Sequence, residues 1–285
     1  MGRLLKPQEI LEASVDASES RAASGLVRLA VLGFLAGAFI AFAAEASNMA
    51  AFNLLADPGS YGLGRVLAGG VFGVGLMLVV LAGGELFTGN VLMIGGVIRG
   101  RVGVGSMLRN WVVVYIANFI GSVFIAWLIA HSGLLHSGGE LLGAVTVKIA
   151  AGKVGLTFPS AFILGLLCNW LVCLAVWLSF GAESMTGKML AIFFPIGLFV
   201  LSGFEHSVAN MYYVPAGIFA KADASAAALA LDLGVTREAM DALGWPGFLV
   251  RNLLPVTLGN IVGGGVFVSG AYLLAFRKRR IGADG

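Results

Sequence analysis

Charged side chains are scarce in this chain: they make up 12% of its 285 residues, against 59% hydrophobic, at a mean hydropathy of +0.94. A soluble domain of this size cannot cover its surface with so few charges, so the balance places the chain in a bilayer as an integral membrane protein. The net charge of +3 and isoelectric point near 9 do not point to nucleic acid, because the positive residues gather at the ends of apolar runs, where they set orientation. Cysteine is limited to Cys168 and Cys173, in one apolar run with no CxxC and no ligand cluster nearby, which reads as two buried, inert thiols. Of the three histidines, His131 and His136 do not share a helix face, so no metal site is expected. Nucleophile motifs, HExxH and cofactor fingerprints are all missing, and neither an enzyme nor a cofactor is expected. Residues 1–24 lack the short apolar core of a cleavable signal; the spacing of Ile10, Leu11, Ser14 and Val15 predicts an amphipathic helix lying along the membrane surface.

What is abundant is apolar sequence in span-length runs, which need roughly 20 residues each. Residues 26–44 form the first, with Gly33 and Gly37 as a small-residue pair for close helix packing. The second covers 66–82, breaks at Gly83-Gly84-Glu85-Leu86-Phe87-Thr88-Gly89-Asn90 and resumes over 91–98. Neither half spans alone, so a broken helix is expected, with irregular backbone that is tolerated at depth only where it is buried or lines a cavity. Residues 111–130 form the third run, 131–156 a long weakly polar connection, and 158–180 the fourth run, with Asn169 near its centre. The fifth covers 189–202, breaks at Gly203-Phe204-Glu205-His206-Ser207-Val208-Ala209-Asn210 and resumes over 211–220. A polar connection, 221–245, leads to the sixth run, 248–276.

The runs repeat. Arg109, Asn110, Asn118 and Gly121 in the third match Arg251, Asn252, Asn260 and Gly263 in the sixth at a constant offset of 142. Leu32-Gly33 in the first resembles Leu164-Gly165 in the fourth, and the two broken segments become equivalent members of two three-helix halves. An odd number of spans per half inverts the second half and sets the interrupted helices opposite each other near the midplane. The expected fold is therefore all-α, six transmembrane helices in two inverted repeats, with the second and fifth broken. Residues 1–25 precede this domain as an N-terminal segment, 26–276 form it, and 277–285 are a basic tail. Six spans put both termini on one side, which collects twelve of the 18 lysines and arginines; both termini are expected in the cytoplasm.

His206 is the only histidine inside an apolar run, and a charged group at bilayer depth costs roughly 2.5–3.5 kcal/mol, so such residues usually line a pathway. Glu205 and His206 are neighbours and point in different directions: one faces a pore and the other braces the loop. Thr88 offers a hydroxyl in the opposite break, and Asn169 and Asn260 are supporting partners. The second half-helices, expected to start at Asn90 and Asn210, present free N–H groups that favour an anion. Glu85 and Glu205 are the only carboxylates expected at depth, too few for a cation site.

Four stretches, Glu85-Leu86-Phe87-Thr88-Gly89-Asn90, Cys168-Asn169-Trp170, Gly203 to Met211 and Pro255-Val256-Thr257-Leu258-Gly259-Asn260, resemble the formate/nitrite transporter family of bacterial channels over residues 26–276. The resemblance implies an aquaporin-like protomer, a homopentamer with one pore per protomer in the inner membrane, and a small monovalent anion as substrate. Carried over, the central threonine falls on Thr88, the pore histidine on His206, the supporting asparagines on Asn169 and Asn260, and the anion-drawing lysine on Lys153. Constrictions fall on Phe72, Leu76, Leu86 and Phe87 on the cytoplasmic side and on Phe199 on the outer side. Phe204-Glu205-His206 and Met211-Tyr212-Tyr213 look closer to a formate branch, Gly84-Glu85-Leu86 and Cys168-Asn169-Trp170 closer to a nitrite branch, and a hydrosulfide branch also exists; formate is favoured. Thr88 and His206 are expected to bind the anion and supply a proton in transit.

Overall fold

The computed structural model describes residues 4–276; Arg3 and the basic tail that includes Arg277 to Arg280 lie outside the described residues. Among those residues the regular structure is all helical. Helix α1 is Pro7–Ala23, α2 Leu26–Ala56 and α3 Tyr61–Leu78, the last extended by a π turn, Val79–Gly83. The broken second span resumes as α4, Phe87–Asn90, and α5, Met93–Ile98. Then come α6 (Val104–His131), α7 (Leu141–Val154), α8 (Phe158–Gly181), α9 (Met185–Ser202) and α10 (Ser207–Ala220). Short helices α11 (Ala224–Asp232) and α12 (Arg237–Ala242) precede the last span, which runs through a π segment, Gly247–Leu253, into α13 (Leu254–Gly264), a second π segment, Gly265–Gly270, and α14 (Ala271–Ala275). Six of these helices are long and apolar enough to cross a membrane.

The expected duplication is visible in the packing. Helix α2 crosses α6 as α8 crosses α13, each crossing built on glycines. A Cβ on Gly121 would stand 2.1 Å from the Phe34 carbonyl oxygen, and one on Gly263 would stand 2.2 Å from that of Leu166. Helix backbones touch at these points, a contact that dispersion rewards in lipid and that no side chain permits. Both spans break at a residue in the left-handed region, Gly83 (φ +97) and Gly203 (φ +77), where glycine avoids the Cβ clash.

Several expectations change. Helix α1 sets its apolar face on protein: Ile10, Leu11, Ser14, Val15 and Ser18 are buried, and the helix packs against α5, α8 and α6. Arg99 pairs with Glu12, and Arg101 pairs with Asp16 and Glu19, which fastens its polar face to the turn before α6. Helix α2 continues for 31 residues, well past the expected end, with Asn48 buried and Glu45 half-buried against the protein. Glu45 thereby becomes a third carboxylate at depth, with Oε1 buried and unpaired. The connection 131–156 contains the buried helix α7, and 221–245 contains α11 and α12.

Candidate functional site

Two short strips of non-helical backbone form the centre of the molecule, and the same atoms hold each of them. In the first, Gly84 is extended, the Glu85 N–H donates to the Leu32 carbonyl (3.1 Å) and helix α4 starts at Phe87. In the second, the Glu205 N–H donates to the Leu164 carbonyl (3.2 Å) and α10 starts at Ser207. Asn118 clamps the first: its Nδ2 donates to the carbonyls of Gly33 (2.7 Å) and Glu85 (2.9 Å), and its Oδ1 accepts from the Phe87 N–H (2.9 Å). Asn260 clamps the second in the same way, donating to Gly165 (2.8 Å) and Glu205 (3.0 Å) and accepting from the Ser207 N–H (2.9 Å). Backbone taken out of a helix at this depth must find such partners, since hydrocarbon offers none. One of the expected free N–H groups at each half-helix start, that of Phe87 and that of Ser207, is therefore spent on an asparagine side chain. Asn90 and Asn210 lie inside the helices instead of starting them.

The two glutamates are braces. Glu85 Oε2 accepts from Asn90 Nδ2 (2.7 Å), which also donates to Asn110 Oδ1 (2.8 Å), and Arg21 Nε stands 3.6 Å away. Glu205 Oε2 accepts from Asn210 Nδ2 (2.7 Å) and Asn252 Nδ2 (3.2 Å), Asn210 Nδ2 also donates to Asn252 Oδ1 (2.7 Å), and Lys153 Nζ donates to Glu205 Oε1 (2.7 Å). Each half thus contains one carboxylate, two asparagines and one cation. Lys153 comes from α7 and also lies over the Tyr213 ring, 5.2 Å from its centroid. Arg21, from α1, escapes sequence reasoning because its helix has the residue spacing of one docked on the membrane surface.

Thr88 and His206 meet between the two strips. Thr88 Oγ1 and His206 Nε2 are 2.9 Å apart, both residues almost wholly buried. His206 is also the N-cap of α10: its Nδ1 accepts the Ala209 N–H at 2.9 Å. An accepting Nδ1 carries no proton, so the ring proton sits on Nε2 and points to Thr88. The Thr88 hydroxyl hydrogen is then left to donate to something else. Asn169 Nδ2 (3.2 Å) and Cys173 Sγ (3.3 Å) donate to the Thr88 carbonyl, and Asn169 Nδ2 also donates to the Asn260 carbonyl (2.6 Å). Cys168 and Cys173 are free and buried, and Cys173 has this fixing contact as well.

A cavity lies on each side of this pair. The one on the side away from the termini, about 410 Å³, is lined by Lys148, Lys153, Arg65, Glu205 and His206 above an apolar floor of Phe72 and Phe199. The one on the side of the termini, about 290 Å³, is lined by Arg21, Arg28, Lys188 and Glu85, with Leu76 and Leu86. Phe72 was expected with the leucines, but it packs edge-on against Phe199 at 5.6 Å, because it lies one turn before Leu76 on α3. Phe87 lines neither cavity; its ring is turned into Trp111 and Tyr115, at 5.8 and 4.8 Å. Two residues that line the cavities each have an enclosed donor without a protein partner, Arg21 at Nη1 on one side and Asn48 at Nδ2 on the other.

Among the described residues, one group of histidine and carboxylates brings its ligand atoms within 4.8 Å of one another: His136, Glu140 and Asp223. Protein partners already occupy each of them. His136 Nδ1 faces Glu140 at 2.8 Å, and Asp223 caps α11 by accepting the N–H groups of Ser225 and Ala226. The hydrogen bond to Glu140, and then its charge, raise the His136 pKa above 6.5. The charged pair is therefore complete below about pH 6.5 and is lost as pH rises through the raised folded value. The expected result is a thermal midpoint that falls slightly between about pH 6 and about pH 8, an exposed pair being weak, and a His136→Gln variant in which that slope flattens. An unchanged slope would mean that the pair contributes nothing.

Similarity to known proteins extends over nearly the whole chain. A family model described as formate/nitrite transporter matches residues 8–274. The uncharacterised transporter YrhG of Bacillus subtilis is 40% identical over 276 residues, 96% of this chain and 94% of that one. The formate channel BtFdhC of Bacillus thuringiensis is 39% identical over 275 residues, 96% of each chain. A solved pentameric formate channel with formate bound matches the fold at a TM-score of 0.74 and 37% identity, over 88% of this chain and 97% of the other.

Proposed function

The chain belongs to the formate/nitrite transporter family, and from that premise we propose that it conducts small monovalent anions, formate foremost, through one pore in each protomer of a homopentamer. The observation that carries the reading is the Thr88–His206 bond between two cavities whose walls are cationic, each with a single carboxylate braced into that wall. Lys153 and Lys148 draw the anion into one cavity, and Arg21, Arg28 and Lys188 draw it into the other. A six-span reading of the sequence puts twelve of the 18 lysines and arginines on the side of the termini, so we assign that side to the cytoplasm and the larger cavity to the outside. The protomer stands in the inner membrane, with the outward stripe of Val112, Ile116, Ile120 and Phe124 on α6 as apolar surface for lipid or a neighbouring protomer.

Between the cavities the route passes Phe72 and Phe199 on one side and Leu76 and Leu86 on the other. Burying a bare ion costs several kcal/mol even after relaxation. Protonating a small carboxylate with a pKa near 3.9 at pH 7 costs about three units, roughly 4 kcal/mol at 1.36 per unit. The two costs are comparable, and passage as the transiently neutral acid, with a proton carried along, is the reading adopted. His206 is poorly suited to be the source of that proton. To give one up it must first be charged, and a proton on Nδ1 would face the Ala209 N–H and uncap α10. The substrate therefore collects its proton in the cavity, and the waist, Thr88 Oγ1 with His206 Nε2, supplies hydrogen bonds while the acid crosses.

Proteoliposomes offered formate, nitrite, hydrosulfide and sucrose side by side test the reading. Formate uptake accompanied by protons, with no sucrose uptake, is expected; failure to pass any of the three anions overturns it. His206→Phe is expected to lower formate uptake by at least about tenfold, the value of one hydrogen bond of about 1.4 kcal/mol in the crossing state. Unchanged flux and pH dependence would remove His206 from the waist.

A further inference from the structure

Most donors around the larger cavity are already engaged. Lys153 Nζ is bonded to Glu205 at 2.7 Å, Arg65 donates to the carbonyls of Val200 and Leu201 at the end of α9, and His206 Nε2 is held by Thr88. Asn48 is different. It sits on α2, only 3% exposed, it lines the cavity, and its Nδ2 is enclosed without a partner in the protein, so that a turn of the amide is what presents it to the cavity. The residue beside it behaves as a buried polar group should: Ser47 donates to the Ala68 carbonyl at 2.9 Å. A buried amide left without an acceptor is costly, and in a membrane span it usually marks a position where something other than the protein completes the bond. Asn48 braces no broken backbone, unlike Asn118 and Asn260, and it is not bonded to the unpaired acceptor one turn before it on α2, Glu45 Oε1.

We propose that Asn48 is a substrate-contacting, selectivity-setting residue of the larger cavity, donating from Nδ2 to one oxygen of a two-oxygen anion while Lys153 attracts the other. Helices α2 and α7 pack against each other and both line the cavity, so an amide and an ammonium serve one chamber. The two donors differ in what they reward. The lysine charge favours any small anion, whereas a neutral amide adds a directional bond that a carboxylate or nitrite oxygen can take while its second oxygen is held. A single-atom anion that sits on the lysine gains much less from it. The amide therefore discriminates between oxyanions and compact anions, a task that point charge alone performs poorly.

The inference rests on the anion-channel reading, and one experiment separates the two. Formate and hydrosulfide uptake are measured in proteoliposomes of the wild type, Asn48→Ala and Asn48→Leu, with assembly checked by size exclusion. The expected result is a rise of about tenfold in the apparent KM for formate, equal to about 1.4 kcal/mol, with a less than twofold change in maximal rate and in the hydrosulfide KM. Asn48→Ser, which keeps a donor, should recover part of the formate affinity. A wild type that passes no anion defeats the channel reading itself. A conducting wild type with an unchanged formate KM in a correctly assembled Asn48→Ala or Asn48→Leu variant overturns the proposal, as does an equal rise for both anions. The alanine variant adds no bulk and suits helix, so it decides the matter if the leucine variant fails to assemble.

Discussion

Lys153→Met is expected to cut formate uptake by more than about tenfold and to destabilise the protein by about 3–5 kcal/mol, because it leaves the Glu205 carboxylate buried without its counter-charge. That carboxylate is only 6% exposed, and Lys153 itself is 15% exposed. Adding Glu205→Gln to the methionine variant should restore most of the stability. The glutamine oxygen can accept from Asn210 and Asn252 as Glu205 Oε2 does, while its amide takes the side vacated by the ammonium. Removing both members of a buried pair is often close to neutral where removing one is severe. Flux should not return, since the charge that draws the anion is still gone. Thermal unfolding in detergent and stopped-flow uptake read the two effects separately. Recovery of flux in the double variant would show that the lysine serves the fold and not the anion.

Asn118→Leu and Asn260→Leu should each prevent assembly. Either change strands two carbonyls and one N–H in a wholly buried setting, at about 1–3 kcal/mol per group, or roughly 3–9 kcal/mol in all. Total stabilities of about 5–15 kcal/mol leave little to withstand this. Aspartate is no remedy: at position 260 it would still accept from the Ser207 N–H, but it would turn an acceptor toward the carbonyls of Gly165 and Glu205. Fluorescence-detected size exclusion of the leucine and aspartate variants checks this, and a normal oligomer peak for either leucine variant would show that the clamps are dispensable. The two positions should fail alike, because their partners correspond atom for atom.

The spans, the two breaks and the internal repeat were legible in the sequence, for a physical reason. Water is absent at depth, so a span must be long and apolar, and a polar interruption such as Gly203 to Asn210 stands out against it. The spaced pattern of Arg-Asn, Asn and Gly in the third and sixth runs betrayed the duplication because polar residues in a span are few. Helix α7 was not legible: its 14 residues are too short to span and contain Lys148 and Lys153, so it read as a connection. Arg21 was hidden for a similar reason, since an amphipathic helix docked on protein has the same spacing as one docked on lipid. Glu45 fell where the first apolar run ends, although the helix continues through it. The misplacement of Phe72 and the inward turn of Phe87 concern rotation about a helix axis, which a uniformly apolar span does not encode. Asn48 lies beyond the expected end of the first run at residue 44, where no motif singles it out.

The paired clamps also bear on how the chain is made. All three bonds of Asn118 go to residues that precede it, at Gly33, Glu85 and Phe87, and all three bonds of Asn260 stay between Gly165 and Asn260. The cation facing each carboxylate also comes earlier in the chain, Arg21 before Glu85 and Lys153 before Glu205. A nascent chain that has delivered residues as far as α6 therefore has every partner needed to seal its first break. It can do so while the ribosome is still translating the second half, in keeping with the N-terminal-first folding of large proteins. What must wait is the Thr88–His206 bond and the grip of Asn169 and Cys173 on the Thr88 carbonyl. The Thr88–His206 waist is thus built only after the first clamp, and a chain that ends before α10 has its first break sealed but no waist.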